Sequence, residues 1–327
     1  MRRRRKWVDY LVYACVRGIA TVFEMFSIES NRRFMRWWGR VWFYLPARLP
    51  DSIKLVRRLR EHRIRAEGNI RRSFPEYDEA RVSATALASM EHFSMWVVEL
   101  LRTPKLITHW TWARHVRLTK LDDAIRVLLR RRGCIMLTGH YGSWELLGYT
   151  LATLGFDIVA VMRPLDNEYL NRYLLDVREH GGLKLLYKKG ATESADEILE
   201  SGGALCFIAD QNAGRKGLFV DFFGRKASTY KSIGLLAMHH NVPILVGCAR
   251  RISPKFEYEV CVNRIIEPQE WRDRDDALLW ITNEYSQAME SFIRVAPEQY
   301  LWMHRRWKTR PKSETAETVG VTTAAES

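Results

Sequence analysis

The chain has 327 residues, 47% of them hydrophobic, and carries 52 Lys/Arg against 38 Asp/Glu for a formal net charge of +14. That content suits one large α/β domain with additions, or two small domains, and excludes a polytopic membrane protein. Twelve tryptophans suit an apolar–aqueous boundary, and five cysteines without Cys-x-x-Cys spacing point to reduced thiols and suggest no zinc site.

Nearly all the charge excess is N-terminal, because residues 1–72 hold 19 Lys/Arg and 6 Asp/Glu. Such a block attracts anionic lipid, an acidic protein or nucleic acid. It starts with a basic run at residues 2–6, and an apolar stretch follows from Trp7 to Ile28 that carries Asp9, Arg17 and Glu24. At about 100° per residue these three fall in a stripe roughly 80° wide, with Leu11, Val12, Ile19, Val22, Phe23 and Phe26 on the other side. The pattern predicts a helix lying in a membrane interface rather than crossing it. Trp37, Trp38, Trp42 and Phe43 continue the interfacial composition among arginines. Pro46 and Pro50 break the chain, Asp51 can cap a basic helix to about Glu67, and Asp78 can cap another from Glu79 to Leu101. The face formed by Met90, Phe93, Met95, Trp96 and Val97 is expected to pack on the core.

From residue 121 strands and helices alternate. Helices are expected at 121–131, 144–154, 167–180, 193–200, 229–240 and 273–295, and strands at 133–138, 157–162, 183–187, 204–209, 242–249 and 256–266. The alternation predicts an α/β fold, a mainly parallel sheet flanked by helices, with an N-terminal membrane-associated helical region. Three parts follow: a membrane-anchoring segment over 1–45, an α/β domain over 46–310 and a disordered tail over 311–327.

Chemistry concentrates where the strand Cys134–Leu137 runs into Gly139-His140-Tyr141-Gly142-Ser143-Trp144-Glu145. A histidine between a strand and a helix N-terminus is placed for proton transfer, with backbone N–H groups nearby for a developing negative charge. His-x4-Glu alone is weak, since His62 and Glu67 repeat it in a basic helix. On a regular helix His140 and Glu145 would point about 140° apart, so they meet only if Gly139 and Gly142 fold His140 back. Asp210 and Gln211 leave the strand 204–209 and should line the same sheet edge, where α/β sheets bind ligands. Arg163 and Arg178 are candidate anion-binding groups. The run Gly217–Thr229 couples an aromatic stretch to a basic turn and a Ser/Thr helix cap that could hold a phosphate.

Gly139–Glu145, Asp210-Gln211-Asn212, Phe222-Phe223-Gly224 with Thr229, and Pro297–Lys308 together resemble the bacterial lipid A biosynthesis late acyltransferases, with wider kinship to phosphatidylinositol mannoside acyltransferases. The resemblance implies transfer of an acyl chain from acyl carrier protein or acyl-CoA to a hydroxyl of an anionic glycolipid. It also implies work at the cytoplasmic face of the inner membrane, without a cofactor or metal. His140 is then expected as the base and Glu145 as the acid that fixes its tautomer. Arg163, Arg178, Asp210 and Gln211 are expected in the substrate site, and the N–H groups of Gly142 and Ser143 as the oxyanion donors. Alternatives are another glycolipid or a lysophospholipid as acceptor, or a non-catalytic basic protein binding membrane or nucleic acid. The α/β half resembles no nucleic-acid module, so no nucleic-acid partner is expected.

Overall fold

The computed structural model describes residues 6–311 apart from residue 51 and residues 188–190. The basic run 2–5, the Asp51 cap and the tail 312–327 lie outside the described residues. Four helices come first: α1 (Lys6–Glu24), α2 (Ile28–Tyr44), α3 (Lys54–Ser73) and α4 (Glu79–Leu106). Then follow β1 (Val116–Thr119), α5 (Asp122–Leu129), β2 (Cys134–Thr138), α6 (Trp144–Thr153), β3 (Ile158–Met162), α7 (Glu168–Glu179) and β4 (Lys184–Tyr187). The chain continues through α8 (Ala191–Glu200), β5 (Ala204–Ile208), β6 (Leu218–Phe222), β7 (Arg225–Thr229), α9 (Lys231–His240), β8 (Ile244–Arg251), β9 (Tyr258–Ile266) and α10 (Ala277–Val295).

Seven strands form one sheet in the order β1-β9-β8-β2-β5-β3-β4. Only the β8–β9 pair is antiparallel; the other neighbours run parallel. Successive residues of β2 serve opposite faces, as a pleated strand requires. Ile135 and Leu137 pack with Met90 of α4, Ala237 of α9 and Met289 of α10. Cys134 and Met136 pack with Val127 of α5 and Leu147 of α6. Both faces are therefore covered, which is why β2 carries no polar alternation.

Two expectations change. Where a loop and a helix cap were expected, β6 and β7 pair as a hairpin, with Phe222 opposite Arg225. Its two turn residues, Phe223 and Gly224, both have positive φ (52° and 67°), the conformation that matches the twist of a two-residue hairpin. Thr229 accordingly ends β7, and α9 is entered from Tyr230 without a side-chain cap. The second change is N-terminal. The helix of the apolar segment stops at Glu24, short of Ile28, and Ser27 starts α2 by accepting the Ser30 N–H at 3.2 Å.

The polar edge of α1 is used inside the protein. Asn167 donates to the Asp9 carbonyl at 2.8 Å, Arg17 lies 4.6 Å over the Tyr173 ring and Glu24 pairs with Lys105 at 2.8 Å. Its other side leaves Trp7, Leu11, Val12, Ile19 and Val22 exposed, continued by Phe26, Trp37 and Trp38. Among the described residues, no helix is long and apolar enough to cross a membrane. Helix α2 packs closely on α4, where a Cβ on Gly39 would stand 2.7 Å from the Glu91 Cα. The buried Arg32 also meets the buried Glu99 there at 2.8 Å.

Candidate active site

Thr138 of β2 lies opposite Ile208 of β5, so two residues further on the parallel strands deliver His140 and Asp210 side by side. Asp210 takes both available donors of His140. The imidazole Nδ1 sits 2.7 Å from Oδ1, and the backbone N–H donates to Oδ2 at 2.9 Å. With Nδ1 protonated toward Asp210, Nε2 keeps its lone pair, and the Gln211 amide nitrogen stands 3.3 Å from it. One tautomer satisfies both contacts. The Trp144 ring meets the imidazole edge-on at 5.0 Å and stacks on Trp96 at 4.4 Å.

Burial disfavours the imidazolium, but the charge and hydrogen bond of Asp210, with Glu145 at longer range, more than reverse this and raise the His140 pKa. Burial likewise acts to raise the Asp210 carboxyl, and the charge and two hydrogen bonds of His140, with Arg306, hold it below the usual range. The pair is therefore an imidazole oriented by an ionised carboxylate, an arrangement that can serve as a base and its orienting acid.

The group that bonds the imidazole Nδ1 is Asp210 and not Glu145, whose charge acts on it from farther away. The Glu145 carboxylate is gripped by Arg178, with Nε 2.9 Å from Oε2 and Nη2 against Oε1. Glu145 lies in the first turn of α6, so its side chain leaves in another direction from His140, while the register of β5 brings Asp210 to the imidazole instead. Arg178 is thus brought to the site, bound to Glu145 and with Nη1 3.6 Å from the Met162 sulfur. Arg163 stands exposed just beyond β3.

The N–H groups expected to hold an oxyanion are already committed. Gly142 N–H donates to the Gln299 carbonyl at 3.0 Å and Ser143 N–H to the Ala249 carbonyl at 2.8 Å. These bonds pin the turn between β8 and the C-terminal segment, where Tyr141 also bridges to Tyr300. Gly142 has φ 58°, and a Cβ there would lie 2.0 Å from the Ala249 oxygen, so only glycine fits. The Gly142 carbonyl accepts from Nε2 of the fully buried His92 at 3.0 Å. The other His92 nitrogen contacts the Arg251 guanidinium. Burial, then the charge of Arg251, hold His92 well below the ordinary histidine range, so it is neutral. His92, Arg251 and Gln299 are not among the residues expected from the sequence. The signal available was polar spacing: His92 and Glu99, seven residues apart, share the apolar face of α4.

Arg306 is buried behind the corner, donating to the Ser228 carbonyl at 2.5 Å, to Thr229 Oγ1 at 2.6 Å and to the Gln211 carbonyl at 3.4 Å. It ties the hairpin to the loop that carries Gln211. A narrow cavity of about 80 Å³ opens beside Trp144 and runs between β2, β5 and β3, lined by Leu147, Gly148, Val161, Leu183 and Phe207, with Glu145 and Arg178 on its wall. Elsewhere, Asp196, His239 and His240 bring three ligand-type atoms within 4.8 Å of one another, a grouping not anticipated from sequence. There His240 Nε2 is engaged by Asp196 at 2.7 Å.

Residues 27–309 match the family model described as bacterial lipid A biosynthesis acyltransferase. The lipid A biosynthesis palmitoleoyltransferase of Escherichia coli (strain K12) is 28% identical over 198 residues, 60% of this chain and 62% of that protein. The match thus spans less than two thirds of that relative. The lipid A biosynthesis lauroyltransferase of the same organism is 24% identical over 306 residues, 88% of this chain and 95% of that protein. The phosphatidylinositol mannoside acyltransferase of Mycobacterium tuberculosis (strain ATCC 25618 / H37Rv) is 29% identical over 143 residues, 42% of this chain and 45% of that protein.

Proposed function

The chain belongs to the bacterial lipid A biosynthesis acyltransferases, and on that premise we propose that it moves a fatty acyl group from a thioester donor to a hydroxyl of a lipid A precursor. The observation that carries this reading is a histidine–aspartate pair whose Nε2 faces the Gln211 amide, with Trp144 touching both the imidazole and an apolar cavity. Nε2 of His140 takes the proton of the acceptor hydroxyl as that oxygen attacks the thioester carbonyl. The tetrahedral intermediate then expels the thiolate, which receives the proton back from the imidazolium. Gln211, whose amide faces Nε2, gives up that contact to the hydroxyl and turns its N–H toward the oxyanion. Arg178 neutralises Glu145, so that the cavity wall tolerates an acyl chain.

The donor is an acyl chain on acyl carrier protein or on coenzyme A, and the basic N-terminal third favours the acidic carrier. Residues 1–45 form the membrane-contact segment and 46–310 the catalytic unit. The enzyme works at the cytoplasmic face of the inner membrane with the exposed apolar side of α1 and α2 laid into the interface. Replacing Trp37 and Trp38 together by alanine is expected to weaken binding to anionic vesicles about 100-fold or more, since each buried ring contributes about 1.5–3 kcal/mol. Co-sedimentation at two salt concentrations measures it, and unchanged binding would remove these residues from the contact.

The direct test incubates the purified chain with an acyl thioester and a lipid A precursor and weighs the product. One added acyl chain is expected. No transfer from either donor class to any lipid acceptor overturns the proposal. The same assay reads the cavity. Gly148 and Leu183 both line the cavity, and a Cβ on Gly148 would already touch the Leu183 Cδ1 at 3.5 Å, so the longer side chain of Gly148→Met takes up cavity space. Two methylenes left unburied, at about 0.8 kcal/mol each, shift the preference by about 15-fold toward a chain two carbons shorter. An unaltered chain-length profile would place the acyl chain elsewhere.

A further inference from the structure

The basic hairpin turn plays no part in the chemistry above, yet it gathers charge in an unusual way. Arg225, the first residue of β7, is half-buried with its guanidinium 3.5 Å over the Trp307 ring and one Nη donating to Ser73 Oγ at 3.0 Å. Its Nε–H has no acceptor. Among the described residues, the two charges that act on it are both positive: Arg72 at the end of α3 and Arg310 beyond the tryptophan-rich segment. Arg310 is itself drawn toward the hairpin, donating to the Lys226 carbonyl at 2.9 Å.

Neighbouring carboxylates do not balance this group. Asp221 is held by Lys226 at 3.0 Å, Glu79 by Arg71 at 2.6 Å and Glu290 by Arg294 at 2.6 Å. Among the described residues, no carboxylate comes within ion-pair distance of Arg225. Contrast Arg264, which is similarly placed against a sheet and meets both Glu270 and Glu284. Burial, then the repulsion of Arg72 and Arg310, push the Arg225 pKa down to about 10. A half-buried cation facing two other cations is a costly arrangement unless an anion completes it.

We propose that Arg72, Arg225 and Arg310 form a binding site for a phosphate monoester, and that its occupant is a phosphate on the glycolipid acceptor. Arg225 bonds Ser73, the neighbour of Arg72, and Arg310 bonds the carbonyl of Lys226, the neighbour of Arg225, so three cations gather at one turn; such a group matches a dianion better than a single carboxylate, and the planar guanidinium fork matches phosphate geometry. The position fits an acceptor headgroup. The far end of β7 is held by Arg306, which also reaches the Gln211 loop, and Arg225 to Thr229 spans about 13 Å of extended strand. The site would thus fix one end of the headgroup while a hydroxyl meets His140. The acceptor assignment rests on the acyl-transfer reading; the phosphate site does not.

Kinetics with a phosphorylated lipid A precursor and with the same lipid after phosphatase treatment test it. Wild type is expected to show a KM about tenfold higher for the dephosphorylated lipid. Arg225→Gln should raise KM for the phosphorylated lipid about tenfold with kcat nearly unchanged, and leave the dephosphorylated lipid unaffected. Arg225 also ties the hairpin to α3, so Arg72→Gln, at an exposed position, is the companion variant, with about threefold expected. Equal effects on both lipids, or none, overturn the acceptor assignment. Calorimetric titration of the full chain with inorganic phosphate is independent of catalysis. Binding that Arg225→Gln abolishes supports the site even if no acyl transfer is found, and absence of binding by both phosphate and the phosphorylated lipid overturns it.

Discussion

Asp210→Asn is expected to lower kcat/KM for acyl transfer by about 10³-fold or more while leaving the protein folded. The reason lies in the double contact with His140. Oδ1 receives the imidazole Nδ1–H at 2.7 Å and Oδ2 the backbone N–H at 2.9 Å. Asparagine has one oxygen for two donors. If its oxygen keeps the backbone N–H, its amide nitrogen faces Nδ1 and forces the proton onto Nε2, which removes the base. If the oxygen keeps Nδ1–H, two N–H groups confront each other in a site that is 2% exposed. The pH profile gives a second readout. His140 must be neutral to act, so the rate rises with pH through its pKa, which Asp210 and Glu145 hold above the ordinary value of 6.5 against burial. Removing the aspartate charge lowers that pKa, so the acid limb moves to lower pH even as the plateau falls. Glu145→Gln removes only the more distant charge and keeps the Asp210 bond. It should move the limb in the same direction by less, and its activity should depend on how far Arg178 loses its place. A profile in which Glu145→Gln costs more than Asp210→Asn would reverse this assignment.

The strand–turn–helix that carries His140 is legible in the sequence because its signals are local. Cys134–Leu137 is an unbroken apolar run, and Gly142 takes the positive φ that the turn needs and other residues resist. The company of His140 is a matter of sheet order. Asp210 follows it by 70 residues, and two other strands, β3 and β4, are laid down in between before β5 returns beside β2. Periodicity gives each strand but not its neighbours, so the carboxylate nearest in sequence, Glu145, is the natural candidate and the register supplies another. The oxyanion expectation differs from the structure for the same reason. Gly142 and Ser143 have N–H groups in a plausible place, yet Gln299 and Ala249 arrive from distant segments to accept them. The N-terminal helices show the opposite case. The polar stripe of Asp9, Arg17 and Glu24 is read from spacing alone, and Tyr173 of α7 and Lys105 of α4 account for Arg17 and Glu24. The β6–β7 hairpin stays hidden because Phe223 occupies a positive-φ position that turn statistics assign to Asn, Asp or Gly.

His140→Ala is expected to remove the base altogether and cost about 10³–10⁴-fold in kcat, close to the floor set by binding and orientation alone. The imidazole is 19% exposed at the rim of the site, and its loss leaves Asp210 with the backbone N–H and the nearby charge of Arg306, so the protein should remain folded. The informative measurement is the double variant. If Asp210 acts through His140, then adding Asp210→Asn to His140→Ala should cost no more than about threefold further, because residues that act as one unit are not additive. If the two losses multiplied instead, Asp210 would be touching substrate in its own right. Acyl transfer at high pH in the single His140→Ala variant closes the argument. Hydroxide can deprotonate some acceptor in the absence of a base, so its residual rate should climb steadily with pH, without the plateau that an imidazole of raised pKa imposes on the wild type.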